Sequence, residues 1–174
     1  LAMLNNALRP TDMRLQCTYK PVALYASLTA YCLMSNHFHL ILRQKSDAGV
    51  SALMQRWLNS YTKYFNKRHD RKGRLFESVY QSVPIEDTEQ LAHTTRYVHL
   101  NPLSLVEPGW KEVGIRNPQG AIAYTSVYPW SSYRHYIGQT CDTLVTDSTV
   151  IDDFDPGEYK QFVENYIQDL PTPG

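Results

Sequence analysis

Two histidines stand in an otherwise apolar run, AYCLMSNHFHLIL, at residues 30–42. If this run forms a strand, side chains alternate between its two faces, so His37 and His39 share one face. Two neutral imidazoles at this spacing can bind one divalent metal ion, provided that a third ligand comes from elsewhere in the chain. The alternative is a half-buried strand whose histidines are only hydrogen-bonded. The run by itself leaves both interpretations open.

A second group of chemically capable residues lies in AHTTRYVHLNP, at residues 92–102. On a helix, His93, Tyr97 and Asn101 are spaced by four and share one face, whereas His99 points away. A helical tyrosine usually serves packing. A phenol held beside a metal-bound phosphate can instead form a covalent phosphotyrosine.

Positive charge is concentrated in the first half of the chain. Residues 1–82 hold 12 Lys plus Arg and 4 Asp plus Glu, a charge of +8, and residues 83–174 hold 5 and 13, a charge of −8. The densest basic segment is KYFNKRHDRKGR, whose cations are Lys63, Lys67, Arg68, Arg71, Lys72 and Arg74. Such a segment is either a solvated helix end or a binding site for a phosphate backbone, to which its interleaved aromatic residues are suited.

Length and composition indicate one globular domain. The chain has 174 residues, of which 43% are apolar, enough for a single core. Cys17, Cys32 and Cys141 are odd in number and form no CxxC pattern, which favours a reduced, cytoplasmic protein. No stretch has the apolar length of a membrane span, so we expect no membrane partner.

The periodicities predict alternating strands and helices. We expect the end of a helix near Pro10, two strands within residues 22–43 with a turn at Ser35 and Asn36, and a helix from residue 47. A strand is predicted over 74–85, a helix from Asp87 to just before Pro102, and a mobile loop over 113–124. A helical or turn element over 128–138, with Ser131 or Ser132 as its cap, and a last helix over 158–170 complete an α+β sandwich with helices on one face of the sheet.

Three motifs together resemble those of one family. NHFHLIL, RYVHLNP and YPWSSYRHY are similar, in this order, to the HUH, tyrosine and C-terminal motifs of the REP-associated tyrosine transposases, relatives of the single-tyrosine insertion-sequence transposases. Relaxases, which share the HUH motif, place their tyrosine before it. The resemblance implies a ferredoxin-like sandwich with an antiparallel sheet. We expect a transposase domain over residues 1–138, its first strand missing, and an acidic extension over 139–174 whose helix packs on the domain.

The resemblance also implies a reaction. His37, His39 and Asn101 would bind Mg2+ or Mn2+, and Tyr97 would be the catalytic nucleophile. Tyr97 would attack single-stranded or hairpin DNA to give a 5′-phosphotyrosine and a free 3′-hydroxyl, and a second 3′-hydroxyl could reverse the step and join strands. The six cations of the basic segment would bind DNA, in a cytoplasmic, nucleoid-associated protein. The sequence leaves open whether the protein is a monomer or a homodimer.

Two other functions compete with the transposase. One is a domesticated relative that binds hairpin DNA without cutting it. The other is a zinc hydrolase, which the lack of an HExxH or CxxC pattern disfavours.

Overall fold

The structure, a computed structural model, describes residues 25–147 and 149–172. Its elements are β1 (Ala26–Leu33), β2 (Phe38–Gln44), α1 (Gly49–Arg68), α2 (Thr88–Leu100), a 3-10 helix (Asn101–Leu105), α3 (Trp110–Val113), α4 (Pro118–Val127), α5 (Tyr133–Tyr136), α6 (Thr149–Asp153) and α7 (Pro156–Asp169). The helix expected before Pro10 lies outside the described residues. None of the described helices combines the length and apolar character needed to cross a membrane.

The chain forms two compact units. Of the described residues, unit 1 comprises 25–27 and 42–84, and unit 2 comprises 28–41, 85–147 and 149–172. Each of the two strands therefore contributes residues to both units. The candidate metal ligands and the candidate nucleophile belong to unit 2, whereas the basic segment belongs to unit 1.

The sheet is a β-hairpin of β1 and β2. Its turn contains Ser35 and Asn36, as predicted, and is closed by the Met34 N–H, which donates to the His37 carbonyl at 2.8 Å. β1 is buried along nearly its whole length, and Cys32 forms a further antiparallel bridge to Ser131. The α+β class with an antiparallel sheet is confirmed, although the described residues form a small sheet of two strands.

Unit 1 is built on the long helix α1, which the sequence predicted. α1 buries Met54, and its Ser51 hydroxyl lies 3.0 Å from the Tyr80 hydroxyl. The strand predicted over residues 74–85 is wrong, because this segment has no regular secondary structure. Val79 and Val83, which a strand would place on one face, are 74% and 82% exposed. Alternating apolar and polar residues do not form a strand unless the apolar face can pack against another part of the protein.

Helix α2 of unit 2 begins and ends where the sequence predicted. The Asp87 carboxylate accepts from the Gln90 N–H at 2.7 Å, and the Gln90 side chain accepts from the Glu86 N–H at 2.7 Å. Both bonds satisfy N–H groups that lack a partner inside the helix. Pro102 lies in the 3-10 helix that follows Leu100. The face of α2 that carries Thr95, Val98 and His99 is buried in a core that also contains Ala30, Cys32, Leu103, Tyr133 and Val163.

The prediction of a mobile loop over residues 113–124 is wrong. Helix α4 occupies most of it, and the Asn117 side chain caps this helix by accepting from the Gly120 N–H at 2.9 Å. Pro118 follows in the first turn of α4, where its missing N–H costs nothing. The predicted last helix is confirmed as α7, which begins with a capping box between Asp155 and Glu158.

Candidate active site

The β-hairpin brings the two motif histidines side by side. The ring centroids of His37 and His39 lie 5.1 Å apart. His37 is exposed just before β2, and its Nδ1 lies 2.7 Å from the Asn36 side-chain oxygen. When the proton is on Nδ1, this N–H donates a hydrogen bond to the Asn36 oxygen, and Nε2 presents a lone pair. This arrangement orients a ligating imidazole.

His39 carries a buried nitrogen without a partner. Its Nε2 is buried and makes no hydrogen bond to any of the described residues. Burial lowers the pKa of His39, and positive charge at His37 and Lys111 lowers this pKa further. The neutral imidazole is the form that binds a metal. An unpartnered buried ring nitrogen thus fits a metal ligand.

Tyr97 lies next to this pair. The centroid of its ring is 6.0 Å from that of His39, and the side chain is 42% exposed. Its hydroxyl accepts a hydrogen bond of 2.6 Å from the Lys111 Nζ. The phenol is therefore open to solvent on the side of α2 opposite to its buried face.

Asn101 is buried one helical turn after Tyr97. Its Nδ2 donates to the Tyr97 carbonyl at 2.8 Å, and its Oδ1 accepts from the Lys111 Nζ at 3.3 Å. The described residues contain no group of three or more His, Cys, Asp or Glu that could hold a metal. A divalent ion at this place would therefore depend on two imidazoles and on oxygen donors. Mn2+ accepts both kinds of ligand, and the oxygen donors also suit Mg2+.

His99, on the same helix, has a purely internal environment. It is fully buried, with Nδ1 at 2.7 Å from the Tyr159 hydroxyl and Nε2 at 2.8 Å from the Ser132 hydroxyl. Burial lowers the pKa of His99 to about 3, with a smaller contribution from His135. This imidazole stays neutral and fixes α2 against the core.

Ser132 connects α2 to the strand that leads into the histidine turn. The Tyr31 N–H donates to the Ser132 hydroxyl at 2.9 Å, and the Ser132 N–H donates to the Tyr31 carbonyl at 3.0 Å. The Tyr136 hydroxyl donates to the Thr29 carbonyl at 2.8 Å. With the bond from Ser132 to His99, these contacts position Tyr97 relative to the β-hairpin. The N-cap of α5 is Ser132, whose side chain makes no capping hydrogen bond. The hydroxyl of the preceding Ser131 accepts from the Tyr133 N–H at 3.2 Å.

The basic segment of unit 1 is fully displayed to solvent. All six cations are exposed, and none forms an ion pair with a carboxylate of the described residues. Lys67 and Arg68 occupy the last turn of α1, where cations also stabilise the helix dipole. Arg71 lies over the Phe65 ring, 5.7 Å from its centroid. The structure thus leaves these cations accessible to a partner.

The sequence predictions missed Lys111. This residue follows the buried Trp110 in α3, a helix that the sequence did not predict. No signal in the sequence distinguishes Lys111, because Arg96, Arg116 and Arg134 lie in the same acidic half of the chain.

One comparison with known proteins gives a match. Residues 19–101, just under half of the chain, match the family model described as "Transposase IS200 like". No curated protein and no solved structure matches the chain significantly. The matched residues contain both histidines and Tyr97, and they end at Asn101. Over residues 19–101 the chain is therefore similar to the IS200-like transposases.

Proposed function

We propose that the protein is a metal-dependent transposase that cleaves and rejoins single-stranded, hairpin-containing DNA through a 5′-phosphotyrosine at Tyr97. The observation that carries this proposal is the position of the exposed Tyr97 ring, 6.0 Å from that of His39, whose buried Nε2 has no partner among the described residues. A candidate nucleophile thus lies next to a candidate metal ligand. The family match over residues 19–101 supports the same reaction class.

The chemistry follows from the residues of the site. His37, His39 and Asn101 would hold Mg2+ or Mn2+, which supplies positive charge that stabilises the scissile phosphate. The Tyr97 oxygen attacks phosphorus, and the bond from phosphorus to the 3′-oxygen breaks. The phenolic proton passes to solvent, and the 3′-oxygen takes up a proton from solvent. Attack by a DNA 3′-hydroxyl reverses these changes, so strands are joined without a nucleotide cofactor.

The basic segment is proposed to hold the DNA backbone. Its six exposed cations span the end of α1 and the residues that follow. Tyr64, 46% exposed, adds an aromatic surface on which an unpaired base could stack.

The experiment uses a panel of 3′-labelled single-stranded hairpin oligonucleotides with Mn2+, scored for a covalent protein–DNA band after denaturation. The label is at the 3′ end because a 5′-phosphotyrosine retains the fragment that carries this end. Tyr97→Phe removes one exposed oxygen and keeps the ring, so hairpin affinity should survive while the band disappears. His39→Ala should reduce the band steeply and leave any residual activity dependent on more Mn2+. Tyr124→Phe is the matched control and should retain the band.

Two results would contradict this assignment. A band that persists in Tyr97→Phe would place the nucleophile elsewhere, and peptide mapping of the adduct would identify it. A wild-type protein that binds hairpins tightly, with no band at any Mn2+ concentration, would instead be a hairpin-binding protein without cleavage activity.

A further inference from the structure

The ammonium of Lys111 contacts the candidate nucleophile directly. Its Nζ lies 2.6 Å from the Tyr97 hydroxyl and 4.3 Å from the centroid of the Tyr97 ring. The same Nζ donates to the Asn101 side-chain oxygen at 3.3 Å. One positive charge is thus shared between the hydroxyl that would attack and the amide one helical turn beyond it.

The backbone that carries Lys111 is firmly anchored. Trp110 is buried, and its Nε1 donates to the Ser104 hydroxyl at 3.2 Å. After α3, the Ile115 N–H donates to the Pro171 carbonyl at 2.9 Å. Gly114, with φ of 90°, lies so close to this carbonyl that a side chain would collide with it. The core therefore presents Lys111 beside Tyr97 from a fixed position.

The interaction of Lys111 with Tyr97 has little to do with stability. Lys111 is exposed, and hydrogen bonds or ion pairs of exposed lysines contribute little to the free energy of unfolding. Lys111 also lies outside the residues that match the family model. A positive charge held next to a reacting oxygen has its largest effect when negative charge develops there.

We infer that Lys111 is a catalytic residue of the cleavage site, which stabilises negative charge on the Tyr97 oxygen. This inference rests on the proposed role of Tyr97. During cleavage the Tyr97 oxygen forms its bond to phosphorus as the bond to the 3′-oxygen breaks, and the phenolic proton passes to solvent. Lys111 gains and loses no proton, because it acts as a hydrogen-bond donor. During joining the Tyr97 oxygen is the leaving group and receives the same stabilisation.

The test compares Lys111→Ala and Lys111→Arg in single-turnover adduct formation with saturating hairpin and Mn2+. Removal of one such donor should slow adduct formation by about 100-fold in Lys111→Ala. Lys111→Arg should recover part of the rate, because it keeps the charge. Added ethylammonium, compared with NaCl at equal ionic strength, should partly rescue Lys111→Ala. The control is Lys160→Ala, whose parent lysine pairs with Glu164 at 3.5 Å on α7, and it should keep the wild-type rate.

Two binding measurements exclude an indirect role. The hairpin Kd of Lys111→Ala should stay within about twofold of the wild-type value, because the inferred interaction develops during the reaction. Mn2+ binding should not weaken, because the substitution removes a positive charge beside the candidate ligands His39 and Asn101. A Lys111→Ala rate within about threefold of wild type would overturn the inference while leaving Tyr97 in place. Slow adduct formation without amine rescue, together with weaker hairpin or Mn2+ binding, would also overturn it. A wild-type protein without any adduct would overturn the proposed function and the inference together.

Discussion

Two motif histidines, His39 in the HUH-like run and His99 beside the tyrosine, have opposite hydrogen-bonding environments. His39 is partly exposed and leaves its buried Nε2 without a partner among the described residues. His99 is fully buried and uses both nitrogens, toward Tyr159 and Ser132. Free lone pairs distinguish a candidate ligand from a structural residue. Residue type alone therefore does not assign a role here, whereas hydrogen-bond partners do.

The burial of His99 predicts a pH dependence of stability. Its pKa is about 3 in the folded protein and about 6.5 in the unfolded chain. Between these values the unfolded state binds more protons than the folded state, so acidification favours unfolding. The contribution is fully present above about pH 6.5 and is lost as the pH falls toward 3, by at most about 1.4 kcal/mol per pH unit.

Urea unfolding at a series of pH values measures this decrease in stability. The slope should be smaller in His99→Gln, which cannot be protonated, than in the wild-type protein. If His99→Gln folds too poorly for comparison, Ser132→Ala serves instead, because it removes one partner of the imidazole and should lower the free energy of unfolding at neutral pH. A wild-type stability that does not change between about pH 6.5 and about pH 4 would contradict the buried, neutral His99.

At the scale of elements, the sequence predicted those whose determinants are local. The β-hairpin, α1, α2 and α7 carry their own turn residues, caps and apolar periods, such as Asp87 with Gln90. The strand over 74–85 failed because alternation says nothing about whether a covering surface exists. The prediction of a loop over 113–124 is wrong because Asn117 and Pro118 begin a helix there.

In the candidate site, too, the sequence predicted the features that local patterns determine and missed those that depend on distant contacts. His37, His39 and Tyr97 were predictable, because the periods of a strand and a helix place them on particular faces. Their closeness came only from the resemblance to a family, since no local pattern joins a β-hairpin to a helix some 60 residues later. Lys111 was not predictable, because α3 is positioned by contacts with residue 171, near the other end of the described chain. The metal roles of the histidines and of Asn101 stay predictions.

Gly114 tests how α3 positions Lys111. Gly114→Ala adds a Cβ that collides with the Pro171 carbonyl at a φ of 90°, whereas Gly109→Ala adds a Cβ at a φ of 78° with only ordinary van der Waals neighbours. Both variants carry backbone strain of about 1 to 3 kcal/mol, but only the first must displace the backbone after α3. We expect Gly114→Ala to be less stable in urea and to form the adduct more slowly than Gly109→Ala. Equal effects in the two variants would show that the close approach is unimportant.

The basic segment gives the second prediction at this scale. Replacing Lys67, Arg68, Arg71 and Lys72 with alanine should weaken binding to all single-stranded sequences. The slope of log affinity against log salt should flatten by about 0.7 for each phosphate that the variant no longer neutralises. Lys160→Ala, outside the segment, should leave the slope unchanged. A four-alanine variant that binds as tightly as wild type at both low and high salt would show that the segment is only a solvated surface.

At the scale of the molecule, unit 2 joins segments that are far apart in the chain. Three residues from later segments contact strand β1, the first of which is Ser132. The Thr146 N–H donates to the Leu28 carbonyl at 2.9 Å. The Asp147 carboxylate accepts from the Thr29 hydroxyl at 3.1 Å. Residues beyond 138 thus contact the strand that leads into the histidine turn. The boundary at residue 138 stays a prediction. A site formed by such distant segments depends on the integrity of the whole unit.

Two cysteines of unit 2 report on that integrity. Cys32 is fully buried in β1 and burial raises the pKa of its thiol to about 12, whereas Cys141 is exposed. Because the thiolate is the reactive form, iodoacetamide at about pH 8 should modify Cys141 quickly and leave Cys32 protected until the strand opens. Mass spectrometry of the two peptides measures both rates. In subdenaturing urea, modification of Cys32 should accelerate as adduct formation declines, since β1 carries the histidine turn. Rapid modification of Cys32 in the native protein, or a decline in activity while Cys32 stays protected, would contradict this coupling between the core of unit 2 and its candidate active site.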